Sequence, residues 1–255
     1  MKHEILAPGI EIYQGDCLDV MKGFEDNSMD LVITSPPFNV GVDYDNRGRE
    51  DDKKPIVKYV EFAKSFMHTL YPLIKDGGRI CLEIGGSGRN FPMSWLWQDA
   101  AYKAGFRLFS EIGLQHRKTN PCAWGSWMKA DSVWTIPNFH MLYVFYKNSE
   151  KKKGGETTID KQEFIEWTRG YWKINWSIGS TKEHPAQFPL DLPRRCIRLF
   201  GHKGDVVLDP FLGSGTTGVV CHLNDREFIG IDNSETYYEI AKRRIKKALM
   251  QPRLL

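Results

Sequence analysis

Two short segments of this sequence put reactive or binding groups at the ends of apolar runs. The first is Thr34-Ser35-Pro36-Pro37-Phe38-Asn39, directly after Asp30–Thr34 (DLVIT). Two consecutive prolines cannot continue a strand ladder, so a strand predicted for 30–34 stops there and the chain turns out of its sheet. The same two rings fix the backbone and set the direction of the Ser35 and Pro36 carbonyls. A fixed carbonyl beside a hydroxyl accepts hydrogen bonds from an amino group, and Phe38 offers a flat face to a planar ring. Ser35, Pro36, Pro37 and Phe38 therefore suit an extruded nucleobase with an exocyclic amine. A capped loop with Phe38 in the core would use the same residues.

The second segment is Asp209-Pro210-Phe211-Leu212-Gly213-Ser214-Gly215-Thr216-Thr217, which follows the apolar run Asp205–Leu208 and opens a helical pattern reaching Leu223. Glycines there let a ligand approach the backbone, and a helix N-terminus presents free N–H groups. Asp209 would repel a phosphate and welcome an ammonium group. Asp232 ends the next short run, Phe228–Ile231, 23 positions after Asp209. An acid at such a place can hold two ribose hydroxyls. The turn is read as neither a dinucleotide fingerprint nor a P-loop, and a plain capped turn is the alternative to a ligand cradle.

The elements that must position these turns alternate. Val57–Leu73 reads as an amphipathic helix, Lys75–Gly78 as a turn, and Arg79–Ile84 as a buried strand. Trp95–Ala104 reads as helix, Phe106–Leu114 and His140–Tyr146 as strands, and Glu235–Met250 as a helix with a basic end. Strands alternating with helices predict an α/β fold with a doubly wound, mostly parallel sheet. Lys147–Gly155 (KNSEKKKGG) is polar and basic and marks the best boundary.

Composition narrows the setting. The chain has 255 residues, 41% of them hydrophobic, which suffices for a core and argues against disorder. No run approaches the ~18 apolar residues of a membrane helix, and the N-terminus has no apolar signal segment. Cys17, Cys81, Cys122, Cys196 and Cys221 form no C-x-x-C pair, which favours a reducing cytoplasmic setting without a structural metal. A net charge of +3 does not by itself indicate nucleic acid.

Taken together, the two turns resemble the catalytic and cofactor motifs of the amino-methylating DNA methyltransferases that use S-adenosylmethionine. TSPPF precedes DPFLGSGTT, and that order is similar to the permuted β group of the family. The resemblance extends to Gly15-Asp16, to His184-Pro185-x-x-Phe188-Pro189 and to Phe228–Asp232. It implies a Rossmann-like class I methyltransferase fold with a circularly permuted motif order. Residues 1–146 would be its catalytic part, 147–180 a target-recognition insertion, and 181–255 its cofactor-binding part.

By the same resemblance, Asp209, Pro210 and the backbone from Phe211 through Gly213, Ser214 and Gly215 would surround the methionine part of S-adenosylmethionine. Thr216 would cap the helix near the carboxylate. Asp232, with Asn233 beside it, would hold the ribose. Asp16 would approach the adenine amine with Cys17 alongside, and Phe188 would help close the pocket. Ser-Pro-Pro resembles the cytosine-N4 members and Asp-Pro-Pro most adenine-N6 members, so cytosine N4 is the expected target. Adenine N6 is the alternative, and a non-catalytic DNA-binding relative the reading from another class. The implied partners are double-stranded DNA, a cognate restriction endonuclease and a second copy of the chain.

Other features are less telling. Arg117 and Lys118, after His116, lead into a loop with Trp124 and Trp127 and are candidate DNA contacts, as are Arg169 and Trp172. Pro121-Cys122 resembles the nucleophile dipeptide of cytosine-C5 enzymes but has no partner motif. Lys151–Lys153 reads as a solvated charge run. Val42–Lys54 reads as a loop that orders over the target base.

Overall fold

The computed structural model describes residues 1–39, 54–85, 92–115, 128–132, 139–175 and 188–251. A nine-stranded sheet forms its centre. The strands are β1 (Lys2–Ala7), β2 (Ile10–Gln14), β3 (Met29–Thr34), β4 (Ile74–Ile84), β5 (Arg107–Gln115), β6 (Phe139–Tyr146), β7 (Tyr171–Lys173), β8 (Val206–Asp209) and β9 (Glu227–Asp232). Their order is β1-β2-β9-β8-β3-β4-β6-β5-β7. All run parallel except β1 and β6, which are antiparallel to their neighbours.

Alternation along the strands builds two cores. Val32, Ile80 and Leu82 face a layer made by α1 (Cys17–Met21), α2 (Ile56–Leu73) and α3 (Met93–Ala104). Leu31, Ile33 and Cys81 face α5 (Asp191–Phe200), α6 (Thr216–Leu223), α7 (Glu235–Leu249) and Trp167 of α4 (Lys161–Trp167). Odd and even positions of β3 thus point to opposite layers, as a pleated strand covered on both faces requires. This is the doubly wound α/β architecture.

The structure departs from the sequence expectations in three places. Lys75–Gly78 is not a turn between elements; it lies inside β4. Met29 pairs with Ile74 and Leu31 with Arg79, so the extra residues of β4 bulge. Gly77 supplies the positive φ of 77° there, and its N–H donates to the Lys147 carbonyl at 2.9 Å. Second, Lys147–Gly155 is tied to the sheet rather than free. The Lys147 ammonium is buried and donates to the Ile74 carbonyl at 2.7 Å and to Asn27 at 3.0 Å. Lys152, read as solvated, is paired with Asp205. Third, β7 extends the main sheet by pairing with β5, so the segment after residue 147 contributes to the central fold. Within the described residues there is no helix long and apolar enough to cross a membrane.

Candidate active site

The C-terminal ends of β3 and β8 meet although 175 residues separate Thr34 from Asp209. The strands pair directly through Leu31 with Val207 and Val32 with Leu208. Past the last pair, the Thr34 hydroxyl donates to Asp209 Oδ1 at 2.9 Å. The Thr217 hydroxyl donates to Oδ2 at 2.7 Å, and the Phe211 N–H to Oδ1 at 3.2 Å. One carboxylate therefore joins the proline turn, the glycine turn and the start of α6. Asp209 is only 2% exposed. Burial raises its pKa to about 7, against the hydrogen bonds from Thr217, Thr34 and Phe211 that favour the charged form. The sequence suggested an open carboxylate awaiting an ammonium group; the structure instead shows an internal joint.

The glycine turn has its own supports. Gly213 and Gly215 take φ values of 51° and 77°. Gly215 N–H donates to the Leu212 carbonyl at 2.9 Å, and Gly213 N–H to Asp232 Oδ2 at 2.8 Å. Gly213, Gly215 and Gly218 do have G-x-G-x-x-G spacing, contrary to the expectation from sequence, and the third glycine has a packing reason. A Cβ at Gly218 would lie 2.7 Å from the Phe228 ring, so helix and strand approach closely there. Thr216 is not the cap of α6. Gly215 is, and because it has no side chain the first-turn amides receive no cap bond from it. Arg244 of α7, which in sequence is only part of a basic surface helix, donates to the Ser214 hydroxyl at 2.5 Å and to Thr216 Oγ1 at 3.2 Å.

Asp232 ends β9 opposite Gln14 of β2, and its carbonyl accepts the Gly15 N–H at 2.9 Å. Its carboxylate receives Gly213 on one oxygen and the Ser234 N–H on the other at 2.9 Å. Asn233 is exposed beside it, and its carbonyl accepts from Gln14. Asp16 is exposed one residue beyond Gly15 and caps α1 through the Leu18 N–H at 2.8 Å. Cys17 turns into the core, where burial pushes its thiol up to about 12. Phe188 packs against the second core, and Phe211 stacks on Phe66 at 5.3 Å.

The proline turn is held from below. The Pro37 carbonyl accepts the buried Tyr59 hydroxyl at 2.6 Å, and that hydroxyl receives the Trp97 indole N–H at 3.1 Å. Asn39, at φ 58°, binds the Lys54 carbonyl through its side-chain amide at 2.9 Å. Ser35 and Phe38 remain partly accessible, whereas Pro36 is buried. Phe38 lies edge-on to His140, and His140 is bonded to Glu83. Neither Glu83 nor His140 stands out in the sequence as a site residue. The one available signal was a carboxylate inside the apolar run Ile80–Ile84.

Of the expected DNA contacts, Arg117 and Lys118 lie outside the described residues, as do His116, Cys122, Trp124, Trp127, Trp176, His184, Pro185 and residues 42–53. Trp172 is corrected: it is fully buried, and its indole N–H donates to the Trp167 carbonyl at 2.7 Å. It packs the segment rather than facing DNA. Arg169 is exposed and lines an open groove of about 800 Å³ with Lys161, Tyr171, Lys173 and Arg195.

This chain matches the DNA methylase family model over residues 29–243. It is 30% identical to the type II methyltransferase M2.MboI of Moraxella bovis, over 91% of this chain and 86% of that one. It is 28% identical to M.SmaI of Serratia marcescens, over 92% and 90%. Its fold is similar to that of TTHA0409 from Thermus thermophilus solved with S-adenosyl-L-methionine, with a TM-score of 0.73, 25% identity and coverage of 94% and 95%. It is also similar to that of PvuII DNA methyltransferase, with a TM-score of 0.70, 22% identity and coverage of 93% and 90%.

Proposed function

The chain belongs to the DNA methylase family and is an S-adenosylmethionine-dependent DNA amino-methyltransferase, and from that premise we propose that its target is the exocyclic N4 amine of cytosine. The observation that carries this reading is the Thr34–Asp209 hydrogen bond. It locks a Ser-Pro-Pro turn, whose acceptors suit an amine, beside a glycine turn at a helix start. Serine at position 35, rather than aspartate, favours cytosine over adenine.

The residues present fit the cofactor. Uncapped amides of α6 suit a carboxylate, Asp232 suits ribose hydroxyls, and Asp16 suits an amine. When bound, S-adenosylmethionine supplies an electrophilic methyl group on sulfur. The Ser35 hydroxyl and Pro36 carbonyl accept the N–H bonds of the target amine. These acceptors stabilise the positive charge that grows on nitrogen as it takes the methyl carbon, before one N–H proton is released. Phe38 holds the ring plane, which aligns the nitrogen for direct displacement. Phe188 helps close the pocket. Residues 147–180, through Arg169 with Lys161 and Lys173, and the Arg117–Lys118 loop contact the DNA backbone.

Incubation of unmethylated DNA with the protein and S-adenosylmethionine, then mass spectrometry of the nucleosides, tests the assignment. N4-methylcytosine is the expected product. N6-methyladenine alone would overturn the target base and leave the family intact.

A further inference from the structure

Glu83 lies near the C-terminal end of β4, a central strand, between Leu82 and Ile84, and is 2% exposed. A carboxylate in such a place costs several kcal/mol unless it is partnered, and an apolar residue would serve the fold better. Its partner is His140 at the start of β6, through Nδ1. Strand pairing makes this possible, because Glu83 faces Leu142 and His140 is two residues along on the same side. Burial lowers the pKa of His140, but the charge and hydrogen bond of Glu83 outweigh it and hold the pKa above the usual value. A carboxylate bonded to Nδ1 fixes both the tautomer and the plane of an imidazole.

That fixed ring meets the proline turn. His140 and Phe38 pack edge to face at 79°, with centroids 5.9 Å apart. The other wall of Phe38 is Gly85, just past the end of β4, where a Cβ would lie 2.8 Å from the phenyl ring. Phe38 is thus held between a glycine whose Cβ would press on the ring and an imidazole that a buried carboxylate orients. Both walls come from the two strands that carry Glu83 and His140.

We infer that Glu83 and His140 are positioning residues that act through Phe38, setting the angle of the face on which the target base stacks. The inference rests on the proposed role of Phe38 as that face. A small tilt of the base displaces the amine from the line of transfer, so loss of the pair lowers turnover.

The test is a double-mutant cycle on methyl transfer to unmethylated plasmid DNA, with kcat, KM for DNA and cofactor Kd measured for each variant. His140→Ala is expected to lower kcat about tenfold or more, as misplacement by a fraction of an ångström does, with cofactor Kd within about twofold. Phe38→Ala is expected to lower kcat by at least as much. In the Phe38→Ala background, His140→Ala is expected to cost nothing further. Glu83→Gln, which keeps an acceptor for Nδ1–H, is expected to retain more activity than Glu83→Ala. His140→Asn keeps a donor for Glu83 and carries the same expectations if the alanine variant does not fold. An equal loss with and without Phe38 would overturn the inference, because His140 would then act elsewhere. Wild-type turnover in His140→Ala beside an impaired Phe38→Ala would overturn it alone. Wild-type turnover in Phe38→Ala would remove the stacking role and the inference together.

Discussion

Thr34→Val tests the joint between the two turns. The substitution keeps the shape of a fully buried side chain and deletes the donor to Asp209 Oδ1. Its cost depends on the charge of the acceptor. A hydrogen bond to a charged group contributes about 1.5–3 kcal/mol and one between neutral groups about 1 kcal/mol. Asp209 has its native pKa raised from 3.8 to about 7. It is therefore protonated at pH 5.5 and ionised at pH 8.5 in the folded protein. Between about pH 4 and about pH 7 the native state binds more protons at Asp209 than the unfolded state, so this residue's effect is a loss of stability as pH rises through that window. At 1.36 kcal/mol per unit, the shift corresponds to about 4 kcal/mol. Removing the Thr34 hydroxyl raises the native pKa further and deepens the loss. Urea unfolding followed by circular dichroism is expected to show a cost of about 1 kcal/mol at pH 5.5 and about 2 kcal/mol at pH 8.5. Other groups titrate in both proteins and cancel in the difference. An equal cost at the two pH values, or a larger one at pH 5.5, would refute the claim that Asp209 is a buried carboxyl held by Thr34.

Ser35→Ala is expected to lower kcat by about a hundredfold, the scale for losing one group that stabilises transition-state charge, with little change in KM for DNA; steady-state kinetics on plasmid DNA check this. Asp232→Ala removes the carboxylate proposed to accept from the ribose and the acceptor that holds the Gly213 N–H at 2.8 Å; cofactor binding by calorimetry should weaken roughly tenfold or more, on the scale of about 1.5–3 kcal/mol for a hydrogen bond to a charged group, while DNA binding in a gel-shift assay stays near wild type. Gly218→Ala brings a methyl to 2.7 Å from the Phe228 ring; a loss of about 1–3 kcal/mol is expected from such overpacking, and an unchanged urea midpoint would show that α6 and β9 can separate at no cost.

The alternation of strands and helices was legible around β3, β8 and β9, which are short, largely apolar and end at Ser35-Pro36-Pro37, at Asp209-Pro210 and at Asp232. The shape of the glycine turn was legible because Gly213 and Gly215 take positive φ, where an L side chain is strained. What stayed hidden is pairwise. Asp209 is one acid among many in the sequence, and only the third dimension gives it Thr34 as well as Thr217. Lys147 and Lys152 sit in a run that looks solvated, yet the β4 bulge turns its carbonyls toward Lys147 and Asp205 takes Lys152. Trp172 looked like a DNA contact because exposed aromatics and packing aromatics are the same residue type; burial under Arg195 and against Trp167 decided between them. The bond between Glu83 and His140 spans 57 residues, and no periodicity encodes it.

The order of the two motifs along the chain says little about the site because the sheet is what joins them. β8 and β9 stand between β2 and β3 in space although they come last in sequence. The entropy of closing a connection grows only logarithmically with its length, about 0.6 kcal/mol per doubling. The direct pairing of β3 with β8 puts both turns at one edge whichever is translated first. A permuted arrangement needs only that the edge strands tolerate new ends, and here the antiparallel β1, paired along β2, covers that side of the sheet. The constraint that survives permutation is therefore the Thr34–Asp209 contact and the strands beneath it. A change that preserved both motifs but shifted the β3–β8 register by one residue would turn Thr34 to the other layer and separate the Ser-Pro-Pro turn from the glycine turn.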